Sequence, residues 1–289
     1  MSAAGTERLG WIGLGNIGAP MARRLLGHPG GLVVCDVVEE ATRPFAAEGA
    51  EVAADAAGVV AAGATVISVM VRDDAQVRSV VGALLGTAPA GTLVAVHSTI
   101  RAETAEDLAL VAARTGVVLV DAPVSGGAMG AATGRLAVLL GGDAAAVERC
   151  QAAFAGFADQ VVHFGPAGAG TRAKIARNLV TFASFAAVGE ALRLAEATGV
   201  DLVGLGDVVR HSDAVTGGAG AIMLRDVTAP LAADDGLRPI FEHTLALGSK
   251  DLDLALALAA DAGLDLPVTA AARRGLATAL GLEEPADAP

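Results

Sequence analysis

The stretch that decides the fold is Leu9-Gly10-Trp11-Ile12-Gly13-Leu14-Gly15-Asn16-Ile17-Gly18. An apolar run from Leu9 to Leu14 reads as a strand. It passes into glycines at positions 13, 15 and 18, and a helical pattern follows. Glycine spacing alone is a weak signal in a chain with 37 glycines. A strand before and a helix after make it specific. The first glycine permits a tight turn, the second lets the backbone approach a pyrophosphate, and the third lets helix and strand pack closely. The helix N-terminus then offers unpaired N–H groups to the phosphates. Gly13, Leu14, Gly15, Asn16, Ile17 and Gly18 are therefore the expected phosphate-binding residues.

A second strand, Leu32 to Asp36, ends on a carboxylate 18 residues beyond Gly18. Asp36 there can accept both ribose hydroxyls of an adenosine and would repel a 2′-phosphate, which favours NAD over NADP. A turn-forming Asp is the plainer alternative. Arg43 could reach a 2′-phosphate, or could simply sit on a helix surface.

Further strands are expected at Thr65 to Met70, Thr92 to His97, Val117 to Asp121, Leu136 to Leu140 and Gln160 to Phe164, with helical stretches between most of them. This alternation is that of a Rossmann-type, doubly wound parallel sheet in an α/β fold. The rhythm stops at Gly165, and Gly165-Pro166-Ala167-Gly168-Ala169-Gly170 reads as a hinge. A long helix is expected from Thr171 to about Thr198, then helices at Leu202 to His211, Ala219 to Asp226, Ile240 to Ala262 and Val268 to Leu280, separated by short turns. The chain thus divides into a dinucleotide-binding domain, residues 1–165, and an all-helical C-terminal domain, residues 166–289. The polar tail from Glu283 to Pro289 is expected to fray.

Composition narrows the function classes. A net charge of −12 disfavours nucleic acid and membrane surfaces as partners. The mean hydropathy of +0.56 raises the question of a membrane span. The longest stretch without Asp, Glu, Lys or Arg, Ser79 to Ile100, is broken by Gly82, Gly86, Pro89 and Gly91 and reads as helix, turn and strand. Cys35 and Cys150 form no CxxC pair, and Met1 to Gly10 lacks a signal-peptide layout, so a cytoplasmic protein is expected. Cys35 reads as a packed strand residue. The five histidines show no metal-ligand spacing, and no metal is expected.

Four blocks, in order, carry a resemblance to a known family. Gly10 to Ala22 resembles the N-terminal signature of the β-hydroxyacid dehydrogenases. Asp121-Ala122-Pro123-Val124-Ser125-Gly126-Gly127 resembles their substrate-loop motif. Gly170-Thr171-Arg172-Ala173-Lys174-Ile175-Ala176-Arg177-Asn178 resembles their GxxxKxxxN catalytic motif, and Lys250-Asp251-Leu252 the KDL of a later helix. The resemblance covers nearly the whole chain. It implies a Rossmann domain, a long interdomain helix, a helical domain and a cleft between them. It also implies Lys174 and Asn178 as catalytic residues and Ser125, Gly126 and Gly127 as substrate-binding ones. Met70, Val71, Thr99 and Lys250 become further cofactor contacts. Two positions depart from the pattern. Met70-Val71-Arg72 stands where Leu-Pro is frequent, and Arg177 where Asn or His is common.

The residues permit the chemistry that the resemblance implies. Oxidising an alcohol moves a hydride to the nicotinamide and a proton off the hydroxyl. Lys174 can accept that proton if its pKa falls from ~10.4 to roughly 7–8. Desolvation or a neighbouring cation, Arg172, Arg177 or Lys250, would lower it. Asn178 follows four residues later on the same helical face. The turn at Ser125-Gly126-Gly127 offers N–H groups and a hydroxyl to a carboxylate. Ser98 and Thr99 end a strand at the sheet edge where ligands bind.

The expected activity is interconversion of a 3-hydroxy carboxylate, such as 3-hydroxyisobutyrate, and its semialdehyde. The expected partner is a small anionic hydroxy acid. Imine reduction on the same scaffold is an alternative, although imine reductases often carry Asp or Tyr where Lys174 stands. A non-catalytic dinucleotide-binding protein is another. The long Ala-rich helix, apolar over much of its surface, points to a homodimer or homotetramer.

Overall fold

The computed structural model describes residues 7–282, so the expected fraying of the tail from Glu283 falls outside the described residues. The chain divides between Arg177 and Asn178 into two compact units.

The first unit is built on nine described strands: β1 (Leu9–Ile12), β2 (Leu32–Cys35), β3 (Glu51–Val52), β4 (Val66–Val69), β5 (Leu93–Val96), β6 (Val118–Asp121), β7 (Val124–Ser125), β8 (Leu136–Gly141) and β9 (Ala158–Gly165). Their order is β3-β2-β1-β4-β5-β6-β8-β7, with β9 paired to β8. From β3 to β6 every pairing is parallel. The winding reverses between β1 and β4, and ligands of open α/β sheets bind at such a switch point.

Helices α1 (Gly18–Arg23), α2 (Glu39–Ala47), α3 (Ala56–Ala61), α4 (Asp74–Leu85), α5 (Ala102–Thr115), α6 (Gly127–Thr133) and α7 (Ala144–Phe154) belong to this unit. The Asp55 and Asp73 carboxylates cap α3 and α4 by accepting from Gly58 and Gln76 N–H groups at 2.7 and 2.9 Å. Successive strand residues feed two cores. Leu9, Trp11 and Val34 pack on one face with Phe154 and Phe157. Ile12, Val33 and Ile67 pack on the other with Val81 and Leu84. All residues of β1, β2, β4 and β5 are buried, as a sheet covered on both faces requires.

The doubly wound parallel sheet is present, with an extension the sequence did not announce. Strand β8 runs antiparallel to β6 and β7 and parallel to β9. Strands β3 and β7 are two residues each, too short to show a period. The Ser79 to Ile100 stretch forms the end of α4, a turn and β5.

Helix α8 (Ala169–Ala197) begins in the first unit and continues in the second, which also holds α9 (Leu202–Thr216), α10 (Arg238–Asp261) and α11 (Pro267–Ala279). By length and hydropathy alone α8 could cross a membrane. Its buried Glu190 accepts from the Val268 and Thr269 N–H groups, at 2.7 and 2.8 Å, and from the Thr269 hydroxyl at 2.7 Å, capping α11. Burial raises the Glu190 carboxyl, but these donors outweigh it and hold it below the usual carboxylate range. Phe241, Leu280 and Leu282 form a small core in this unit.

The helix expected from Ala219 to Asp226 does not form. A single 3-10 turn at Gly218–Gly220 stands there, and 221–237 contains no helix. Gly217 and Gly218 have φ of +89° and +56°, which breaks the helical path, and local turn bonds such as Met223 N–H to the Gly220 carbonyl replace it.

His97 sits inside the first core at 1% exposure. Its ring stacks on Trp11, with centroids 5.5 Å apart. Nδ1 lies 2.8 Å from the Ala122 carbonyl, which only accepts, so Nδ1 carries the proton. Nε2 then accepts from the Ser68 hydroxyl at 3.0 Å. Burial holds the imidazole neutral, with its pKa lowered to about 4. An unfolded His titrates near 6.5, so the unfolded chain binds the extra proton between these values. Stability from His97 is therefore present above pH ~6.5 and is lost as pH falls toward 4, by about 3 kcal/mol in total. We expect His97→Gln to flatten the fall in unfolding free energy between pH 6.5 and 4.5, measured by urea titration. An equally steep fall in the variant would show that other groups cause it.

Candidate active site

Beyond the ends of β1, β2 and β4 lies a cavity of about 640 Å³, a size that suits a cofactor. Gly13, Gly15, Asn16, Ile17, Gly18, Asp36, Met70 and Val71 line it. Leu14 joins them through its N–H, which donates to Asp36 Oδ2 at 2.6 Å. The three glycines serve separate needs. Gly13 has φ of +99°, and a Cβ there would lie 2.1 Å from the Met70 carbonyl oxygen. A Cβ on Gly18 would lie 2.2 Å from the Gly13 oxygen. A Cβ on Gly15 would meet no protein atom within 4 Å. The protein itself therefore does not demand glycine at 15, but a pyrophosphate lying against that backbone does. The donor set and the empty space before Gly15 fit a nicotinamide dinucleotide. Trp11 supports the turn from below, its indole N–H donating to the Gly13 carbonyl at 2.9 Å.

Asp36 is held by two backbone donors, Leu14 and Val38, the latter at 2.8 Å. Each carboxylate oxygen keeps a lone pair for a ribose hydroxyl. Arg43 pairs with Glu39 and Glu40, both at 3.5 Å, on its own helix surface. The Cys35 thiol is buried in the cavity wall, and burial together with the Asp36 and Asp55 charges pushes its pKa up, against reactivity.

Asp55, Arg72, Gln76, Ser79 and Val80 also line the cavity and were missed in the sequence. Asp55 follows the two-residue β3, whose brevity concealed it. Arg72 stands between β4 and α4, and Gln76, Ser79 and Val80 lie within α4; the signal for them was only that β4 ends at the switch point.

A second group of expected site residues starts at the end of β6. After Asp121 the chain passes Pro123 into β7, which ends at Ser125, half-buried. Gly126 and Gly127 have φ of +130° and +64°, so the turn needs both. Ser98 is occupied at the cofactor cavity. Its hydroxyl donates to the Val71 carbonyl at 2.7 Å and accepts from the Val71 N–H at 2.9 Å. Thr99 is exposed beside it. Lys174 stands in the second turn of α8 with only 8% of its surface exposed. Burial lowers its pKa from the ordinary value, and the Arg177 charge lowers it further. Asn178 follows one turn later on the same helix. Lys250 is an exposed residue of α10, 3.0 Å from Asp251. Thr99, Ser125, Gly126, Gly127 and Lys174 are not part of the described wall of the dinucleotide cavity.

Comparison with known proteins gives this geometry a family. Residues 8–165 match the NAD-binding domain of 6-phosphogluconate dehydrogenase, and residues 168–288 match the NAD-binding domain of NADP-dependent 3-hydroxyisobutyrate dehydrogenase. The chain therefore belongs to the β-hydroxyacid dehydrogenase family, and it is a dehydrogenase that binds a nicotinamide dinucleotide. An uncharacterized oxidoreductase of Mycobacterium tuberculosis is 55% identical over 97% of this chain and 95% of its own. A 3-hydroxyisobutyrate dehydrogenase of Pseudomonas aeruginosa is 34% identical over 92% of this chain and 89% of its own. A crystal structure from Mycobacterium avium 104, described only as an oxidoreductase, is 52% identical, with a TM-score of 0.91 over 96% of this chain and 99% of its own.

The roles of the glycines separate by mutation. Gly15→Ala should keep its melting temperature and lose dinucleotide affinity by about tenfold or more. Gly13→Ala should lower the melting temperature itself, because φ and the Met70 contact both oppose it. Calorimetry and isothermal titration read the two outcomes. Destabilisation by Gly15→Ala equal to that by Gly13→Ala would refute the separation.

Proposed function

We propose that the protein interconverts a 3-hydroxy carboxylate and its semialdehyde with NAD, Lys174 acting as general acid and base. The observation that carries this reading is a buried lysine whose amine titrates below its ordinary range, on the first turns of a helix, within the family's catalytic motif. The bound dinucleotide supplies a hydride acceptor. In the oxidative direction the neutral Lys174 amine takes the hydroxyl proton as the hydride leaves the adjacent carbon, and in reduction the ammonium returns it. The Asn178 amide, one turn away, orients the hydroxyl. The Ser125 hydroxyl and the turn at Gly126-Gly127 receive the carboxylate. The family relation to 3-hydroxyisobutyrate dehydrogenases supports the CH–OH substrate class. Lysine, rather than Asp or Tyr, favours alcohol chemistry over imine reduction, and the intact Lys174 and Asn178 favour a catalyst over a binding protein.

Support for NAD over NADP comes from the negative Asp36 at the ribose position and from Val37 and Val38 beside it, neither of which could pair with a phosphate. A 2′-phosphate would also compete with Glu39 and Glu40 for Arg43. We further take the exposed apolar face of α8, with Leu179 70%, Phe182 62% and Phe185 64% exposed, as covered by a second copy of the chain in the cytoplasm. A monomer by light scattering at micromolar concentration would contradict that.

A screen of 3-hydroxy acids and cyclic imines with both dinucleotides tests the reading. Lys174→Ala should lower kcat by about 10²–10⁴-fold while leaving dinucleotide affinity unchanged. Oxidation by the unmodified protein should rise with pH and level off below the pKa of an ordinary lysine, because the neutral amine is the active form. Equal turnover by Lys174→Ala, preference for NADP, or activity only on imines would each overturn the corresponding part.

A further inference from the structure

We propose that Asp121 is a positioning residue that seats the helix carrying Lys174. This rests on the reading of Lys174 as the acid and base. Asp121 ends β6 and is 1% exposed. Its Oδ1 accepts from the Gly168 N–H at 2.7 Å and its Oδ2 from the Thr171 N–H at 2.6 Å. Those two N–H groups belong to the start of α8 and have no helical acceptor of their own. The cap thus comes from a strand 47 and 50 residues earlier in the chain, not from a neighbouring side chain. A carboxylate at this end is also favoured by the helix dipole.

The surrounding glycines leave room for this one arrangement. A Cβ on Gly141 would lie 2.4 Å from Asp121 Oδ1 and 2.7 Å from the Gly170 nitrogen. A Cβ on Gly170 would lie 2.3 Å from the Leu139 carbonyl oxygen and 2.9 Å from that of Asp121. The first turn of α8 is therefore pressed, backbone to backbone, against β6 and β8. Lys174 is three residues beyond Thr171, so the clamp sets how deep its amine is buried. The same Asp121 stands four residues before Ser125, so one residue fixes both the proton-transfer helix and the start of the substrate turn.

Two variants test this. Asp121→Asn keeps the shape, removes the charge and sets an N–H₂ against a donor. Gly141→Ala keeps the charge and displaces the clamp. Dinucleotide binding is read by energy transfer from Trp11, the sole tryptophan. The Lys174 pKa is read without turnover, from the pH dependence of its labelling by an acylating reagent, followed by mass spectrometry. Removing a carboxylate acts through space to lower the pKa of an amine, whereas release of the helix into water raises it. We expect both variants to raise the Lys174 pKa and to lower kcat by about 10- to 100-fold with little change in dinucleotide affinity. A pKa that falls or stays fixed in both would overturn the proposal. Should either variant fold poorly, hydrogen exchange of the 168–178 peptide decides: faster exchange confined to it supports the clamp, and faster exchange throughout the chain overturns it. Full turnover by Lys174→Ala would instead sink the reading of Lys174, whatever its pKa does in the other variants.

Discussion

The first turn of α8 lies backbone to backbone against β6 and β8 at Gly170 and Gly141. Gly170 meets the carbonyls of Leu139 and Asp121, Gly141 meets the Gly170 nitrogen, and the Asp121 carboxylate closes the gap. Several features follow from that contact. It fixes where the long helix leaves the sheet and which residues of its second turn are covered. At the same place β8 pairs antiparallel with β6 through Asp121 and Gly141. A buried lysine is costly as a cation, so the depth set by this contact also shifts its protonation toward neutral.

The dinucleotide side obeys a separate constraint. The turn after β1 is closed by Gly13 against Met70 and by Gly18 against Gly13, with Trp11 bonded beneath it. Trp11 in turn stacks on His97, whose Nδ1–H reaches the Ala122 carbonyl next to Asp121. A continuous chain of packed and hydrogen-bonded groups therefore joins the phosphate turn to the strand that clamps α8. The neutrality of His97 is part of that packing, since a charged imidazole would be stranded among Trp11, Phe154 and Phe157.

Much of this was legible in the sequence. Glycines at 13, 15 and 18 announced the phosphate turn, and apolar runs announced the parallel strands, because both patterns are local. Asp36 was legible as the end of a strand. Asp121 was visible as a strand end and as one letter of a motif, but not as a helix cap, because its partners Gly168 and Thr171 are far along the chain. The same holds for Gly141, whose need for glycine appears only when α8 is in place. Asp55 was hidden by a two-residue strand. The Ala219 to Asp226 segment misled because its apolar residues keep a helical spacing, whereas the preceding glycines at 217 and 218 take left-handed φ.

In the proposed reaction a hydroxyl-bearing carbon loses a hydride while Lys174 takes up the hydroxyl proton. The most direct test places deuterium on that carbon of a 3-hydroxy carboxylate and follows it by mass spectrometry. Transfer of one deuterium to the reduced nicotinamide, with the semialdehyde as the second product, is the expected result. Absence of label in the dinucleotide across a panel of such acids, with reduction of cyclic imines by the same preparation, would contradict it.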